Sequence, residues 1–400
     1  MKRTVETDIA IIGGGIAGLW LLNQLQQQGF STILLESAAL GGAQTHKAQG
    51  IIHGGMKYAL QGAITSAFDV IANMPSVWQA CLCGEGEIDL RRVPVLSSHQ
   101  SLWTSGTLTA KLAGFFASIA LKGNIKLLTG LEPEFPTIFK SPQFSGKVYS
   151  LNEIVIDVHA LIRELVKPNQ DVIFKIDSMR ELQFDEQRNL VSCEIQAVPM
   201  QSLQIKAKKY IFTAGSGNQF ILEKMRYSKI KMQSRPLHMV IVKHDFPYEV
   251  FAHCLGLSSV PRLSITTHHA ADGKTIWYIG GQLAEEGVQR DSALQINIAR
   301  KELQEVFPWL DFSTAEFASF LVNRAEALQA GRKRPDSCFM EEIGNCIIAW
   351  PTKLALAPLL ADKIMQCLQH NQLKPGKIDI RELRAWPMPT FARPIWDQLL

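Results

Sequence analysis

The chain has 400 residues, 46% of them hydrophobic and 20% charged, which is the composition of a globular protein long enough for two domains. Its formal net charge of +4 is small for that length, and basic residues cluster only briefly, as at Lys206–Lys209 and Arg332–Arg334, so nothing argues for a nucleic-acid partner. The seven cysteines form no C-x-x-C pair and no metal-finger spacing, which suits a reducing, cytoplasmic compartment.

The first predicted element is a strand, Asp8-Ile9-Ala10-Ile11-Ile12, which breaks into Gly13-Gly14-Gly15-Ile16-Ala17-Gly18 and then a helical pattern ending at Gly29. A second apolar run, Ile33-Leu34-Leu35, stops at Glu36. Strand, glycine turn, helix, strand and terminal acid are in the register of a dinucleotide fold. Gly13 permits the tight turn, Gly15 lets the backbone approach a pyrophosphate, and Gly18 lets the helix pack closely on the sheet. The helix N-terminus offers N–H groups and a positive dipole end to the phosphates, and Glu36 stands where a ribose hydroxyl would sit. The chain is therefore expected to bind a dinucleotide.

A glycine-rich polar stretch, Gly41 to Gly55, opens into a helical region around Ala59–Met74, and Val93–Pro142 reads as mixed elements. Next come Ile154-Val155-Ile156-Asp157, a helix over Val158–Val166, and a strand, Val172-Ile173-Phe174-Lys175. A hairpin turning at Asp185–Asn189 leads to the strand Tyr210-Ile211-Phe212 and then Thr213-Ala214-Gly215. Strand patterns dominate from Arg235 to Phe320 (Met239–Val242, Leu263–Thr266, Thr275–Gly280), followed by a helix near Ala293–Val306. Cys346-Ile347-Ile348-Ala349-Trp350 reads as a buried strand feeding a helix from about Leu356 to Leu368.

The fold class is thus α/β, a Rossmann-type nucleotide domain with an interleaved sheet-based (α+β) substrate domain. Residues 1–80, 150–230 and 330–385 are assigned to the former, 81–149 and 231–329 to the latter, and 386–400 to a C-terminal tail. No signal peptide or membrane-length apolar run of ~20 residues is expected. The tail mixes Trp386, Phe391 and Trp396 with prolines and arginine, and is read as packed over the body in preference to a peripheral contact with the inner membrane face.

There is no second glycine fingerprint: Gly215-Ser216-Gly217 lacks the third glycine, and Gly280-Gly281 precedes no matching helix. With one dinucleotide site, the cofactor is either an exchangeable nicotinamide or a resident flavin reduced by the substrate. The Thr213-Ala214-Gly215 return and the long Gly41–Gly55 stretch favour FAD, which needs a second backbone segment and small residues beside its ribityl chain and ring.

Ala48-Gln49-Gly50-Ile51-Ile52-His53-Gly54-Gly55-Met56-Lys57-Tyr58 resembles the flavin-side segment of the D-amino-acid oxidase-like FAD superfamily. It is most similar to the aerobic glycerol-3-phosphate dehydrogenase and L-2-hydroxyglutarate dehydrogenase branches, with their Ile-His-Gly-Gly or Ile-His-Ala-Gly core. Arg235-Pro236-Leu237-His238-Met239 resembles the strand that carries a histidine over the flavin, Arg334-Pro335 the Arg-Pro before the last strand, and Trp350-Pro351-Thr352-Lys353-Leu354 the Gly-Gly-Lys-Leu segment. Lys353 follows Pro-Thr instead of paired glycines, which weakens a phosphate-binding role there. Fingerprint and resemblance together assign to the cofactor Gly13, Gly15, Ile16, Ala17, Gly18, Glu36 and Ser37, then Gln44, Thr45, Gln49, Gly50 and Ile51, and later Val172, Ala214, Gly215, Lys353 and Leu354.

The implied reaction moves a hydride from a small anionic 2-hydroxy acid or polyol phosphate to the flavin, with an amine or amino-acid oxidase as the alternative and a redox-inactive flavoprotein subunit as the competitor. Such chemistry needs a base, a cation for the substrate's acidic group and positive charge near the flavin pyrimidine edge. The resemblance makes His238 the expected base, with His53 beside the ring as a hydrogen-bonding group, a second base or a tether, and His46 and Lys47 as less favoured tethers. Arg334 and Lys353 are the candidate anion holders, and Lys57 and Tyr58 the candidate pocket lining. His268-His269 is not read as a metal pair, since strand neighbours face opposite ways, and no metal is expected. Oxygen, a quinone or a redox protein remains open as electron acceptor.

Overall fold

The computed structural model describes residues 3–54, 71–105, 125–197, 201–256, 258, 260–332, 335–376 and 380–400. Strand β1 (Thr4–Ile12) runs parallel to β2 (Thr32–Glu36) on one side and to Gln201–Phe212 on the other. The 8-stranded sheet has the order Ser178–Phe184, Leu190–Ala197, Gln201–Phe212, β1, β2, Ile173–Lys175. Cys346–Trp350 joins it parallel to the end of Gln201–Phe212 and pairs antiparallel with Phe339–Ile343. Between β1 and β2, helix α1 (Ile16–Gln27) buries every residue from Ile16 to Leu25, because it is covered by the sheet, by the helices Val158–Val166 and Ala357–His370, and by Trp78 against Trp20. A helix buried all round belongs inside the domain.

A second 8-stranded sheet runs Glu316–Ala327, Met232–His244, Thr275–Gly280, Leu263–His269, Ala252–Cys254, Gln100–Ser105, Gly146–Leu151, Ile125–Leu128. Its outer face packs Trp103, Trp277 and Val240 against the helix Ser292–Val306 and Phe307, while its inner face turns to the nucleotide sheet. A small sheet of Ile51–Ile52, Ile154–Ile156 and Val95–Ser97 lies where the chain passes between the two.

One expectation changes. Cys81, Leu82, Ile88, Leu90 and Val93, assigned to the inserted unit, pack in the same core as α1 and the helix Val158–Val166. The helix Met74–Cys83 ends at left-handed Gly84 (φ +77°) and turns the chain back onto that core, so the substrate sheet begins at Gln100. The helix expected over Ala59–Met74 falls almost wholly outside the described residues. The tail lies on the body: Phe391 bridges to Leu40, Trp386 and Ile395 are buried, and Trp396 stacks on His268. No helix among the described residues is long and apolar enough to cross a membrane.

Candidate active site

A cavity of about 690 Å³ runs from the C-terminal ends of β1 and β2 to the inner face of the second sheet, the place where an open parallel sheet binds ligands. Gly13, Gly15, Ile16, Ala17, Glu36 and Ser37 line one end. The turn is built by contact: Gly13 has φ +114°, and a Cβ on Gly18 would lie 2.0 Å from the Gly13 carbonyl oxygen. Gly18 therefore packs helix on strand and stands off the cavity wall. The first turn of α1 has no acidic residue and no side-chain cap at Gly15. Thr45 Oγ1 accepts from the Ile16 N–H at 3.1 Å, and a Cβ on Gly15 would meet only that hydroxyl, 3.3 Å away. Glu36 ends β2 with one carboxylate oxygen accepting from Gly14 N–H and the other from Ala38 N–H, both at 2.6 Å.

Gln44, Gln49, Gly50 and Ile51 line the middle, where Gln49 Nε2 donates to the Ser264 and Tyr278 carbonyls and ties this loop to the second sheet. Ala214 and Gly215 face them: Ala214 N–H donates to Asn218 Oδ1, and Trp350 Nε1 donates to the Gly215 carbonyl. Lys353 and Leu354 close the far wall after Thr352, which takes a left-handed φ of +63° and anchors its hydroxyl on the Ser337 carbonyl. Val172 is a correction. It sits at the N-terminal end of its strand, and the cavity is lined by Ile176 and Asp177 at the other end.

The lining is completed by Leu237, Met239, Val322 and Arg324 from the second sheet, and by Lys47 and His53. His53 is 38% exposed, opening onto the cavity, and its Nδ1 meets Glu153 Oε2 at 3.2 Å. The other Glu153 oxygen accepts from Gly54 N–H at 3.0 Å. Desolvation lowers the His53 pKa against the opposing pull of Glu153, so the ring is neutral at pH 7. Burial pushes Glu153 up, but the His53 and His253 imidazoles facing its carboxylate outweigh burial and hold it below the ordinary carboxylate range. An ionised carboxylate at Nδ1 fixes that proton, leaving Nε2 as the free lone pair.

His238 is the second correction. It follows Leu237 on one strand, so its side chain leaves by the opposite face, where it is 3% exposed with Nδ1 at 2.9 Å from the Gly287 carbonyl and Nε2 at 3.0 Å from Ser319 Oγ. It does not reach the cavity. His46 is likewise a buried packing residue, with Nδ1 on the Gly41 carbonyl. Arg334, Lys57 and Tyr58 lie outside the described residues.

Residues 8–331 match the family described as DAO, FAD dependent oxidoreductase. The chain belongs to this family. It is 42% identical over 99% of both chains to a probable FAD-dependent oxidoreductase of Pseudomonas aeruginosa. The crystal structure of a P. aeruginosa FAD dependent oxidoreductase superposes with a TM-score of 0.85 at 38% identity, over 100% of this chain and 99% of that one. Glycine oxidase from Geobacillus kaustophilus (TM-score 0.67, 12% identity, 94% and 98% covered) has the same fold. So does L-α-glycerophosphate oxidase from Mycoplasma pneumoniae with FAD bound (0.63, 14%, 93% and 96%).

FAD is the cofactor of this family member, and the cavity fits it. The α1 N-terminus behind Gly15, whose Ile16 N–H is held by Thr45 Oγ1, suits the pyrophosphate, Glu36 the ribose, and the small residues from Gly42 to Gly50 a long, narrow chain. Sequence reasoning missed Glu153, His253, Lys47 as a wall residue, Arg324 and Asp177. Glu153 and His253 carry no local signal, being one acid in a turn and one histidine in a short strand. Leu237 and Met239 could have been found, since alternation on their strand separates them from His238.

Proposed function

We propose that this FAD-dependent oxidoreductase oxidises a CH–OH donor, a small anionic 2-hydroxy acid or polyol phosphate, with His53 as the base. The observation that carries the reading is the His53–Glu153 pair on the cavity wall: a neutral imidazole with its Nδ1 proton held by a buried carboxylate. An alcohol must lose its O–H proton as its C–H hydride leaves, whereas an amine can bind already deprotonated and needs no such base.

Bound FAD supplies the two-electron acceptor for the hydride. His53 Nε2 takes the hydroxyl proton, Glu153 compensates the positive charge that then appears on the ring, and the donor carbon becomes a carbonyl. Lys47, Arg324 and Lys353 add positive charge to the cavity lining, which suits an anionic donor. Leu237, Met239 and Val322 form an apolar part of that lining that keeps water from the reacting carbon.

The test is anaerobic mixing of the purified yellow protein with L-2-hydroxyglutarate, glycerol 3-phosphate and a panel of amino acids, read at the flavin absorbance. Bleaching by a hydroxy acid or polyol phosphate supports the reading. Bleaching by amino acids alone moves the protein to CH–NH donors and overturns it.

A further inference from the structure

His253 is a buried histidine that the reaction leaves unused. It is 4% exposed on the strand Ala252–Cys254, and its Nδ1 has no hydrogen-bond partner among the described residues. Its Nε2 stands 3.7 Å from Glu153 Oε2, beyond hydrogen-bond length. The same carboxylate oxygen is 3.2 Å from His53 Nδ1, and the three ligating atoms all lie within 4.8 Å of one another. A buried imidazole with a partnerless Nδ1, and with Nε2 facing a buried carboxylate at long range, calls for an explanation.

We propose that His53, Glu153 and His253 bind one divalent transition cation of the zinc class. Two imidazole nitrogens and one carboxylate oxygen are the donor set of an open zinc site, and they disfavour calcium and magnesium, which take oxygen shells. A tetrahedral ion about 2.0–2.1 Å from each ligand separates its donors by about 3.3 Å. The 3.2 and 3.7 Å separations bracket that value. The second Glu153 oxygen is already held by Gly54 N–H, an outer contact of the kind that orients a ligating carboxylate.

The three side chains also come from fixed positions. His53 follows Ile51–Ile52, which pairs with Ile154–Ile156 beside Glu153, and Ala252–Cys254 pairs with Gln100–Ser105, neighbour of Gly146–Leu151. A cation at His53 Nδ1 takes the lone pair of that nitrogen, so the single ring proton moves to Nε2. The ring then donates into the cavity and accepts nothing. Resting on the reading of His53 as the base, the bound ion is an inhibitor; the binding itself does not depend on that reading.

The experiment uses chelator-treated holoprotein without any donor, dialysed against micromolar zinc chloride and measured for metal per flavin. About one zinc per flavin is expected, with binding at least tenfold weaker in both His253→Gln and Glu153→Gln while the flavin spectrum is retained. No retained zinc in the unsubstituted protein, or zinc retention in either variant equal to that of the unsubstituted protein, overturns the proposal. Cobalt(II) gives a check that needs no variant: weak ligand-field bands are expected, and a strong near-ultraviolet thiolate band, from a site such as the exposed Cys83, contradicts it. Zinc occupancy without slowed donor oxidation keeps the site and removes its inhibitory consequence.

Discussion

His238 Nε2 meets the Ser319 hydroxyl at 3.0 Å on the face of the second sheet turned away from the cavity. The adjacent Leu237 lines the cavity, so one position along a strand separates a packing histidine from a catalytic one. His238→Ala removes both buried partners of Gly287 and Ser319 and should destabilise the fold by about 1–3 kcal/mol. Turnover per bound flavin should stay within about threefold. Thermal unfolding and flavin-normalised kinetics check both halves.

Glu153→Gln keeps the shape but removes the charge that fixes the His53 proton and offsets the imidazolium. The expected fall in kcat is about tenfold to a hundredfold, smaller than the about 10²–10⁴ assigned to the positioned base itself. The flavin content should be retained, because Glu153 does not line the cofactor cavity. Steady-state kinetics normalised to bound flavin is the check.

Acid stability should fall unusually early. Burial lowers His46 to about 4, His244 to about 4 and His268 to about 3, against an ordinary 6.5. Between those values and 6.5 the unfolded chain binds more protons than the native one, so stability falls as pH drops through this window. Each group contributes up to about 1.4 kcal/mol per pH unit. Denaturant midpoints measured from pH 7 to pH 4.5 should decline steadily, with the loss beginning above the range where carboxylates titrate.

Gly18→Ala places a methyl carbon 2.0 Å from the Gly13 carbonyl oxygen, so helix α1 must shift off the turn that shapes the pyrophosphate end. Overpacking of this kind costs about 1–3 kcal/mol. The purified variant should carry much less FAD than the unsubstituted protein, measured as flavin absorbance per chain.

The parts of the fold that depend on local pattern were legible. Gly13, Gly15, Gly18 and Glu36 lie within one β-α-β unit, and spacing alone places them on it. The hairpin turning at Asp185–Asn189 and the strand Cys346–Trp350 were legible for the same reason. The surroundings of His53 were not. Glu153 reaches His53 from 100 residues away, and His253 reaches Glu153 from another sheet, through strand pairings that no window contains. The direction of His238 depends on strand parity, which a family resemblance does not fix by itself. Val172 was misplaced because the end of a strand, and not its start, faces the ligand.

The most direct test of His53 as the base is the rate of anaerobic flavin reduction by the best hydroxyl donor in the unsubstituted protein and in His53→Ala. A fall of about 10²–10⁴-fold, with FAD retained, is predicted. A His53→Ala protein that holds FAD and is reduced at an unchanged rate would contradict the account.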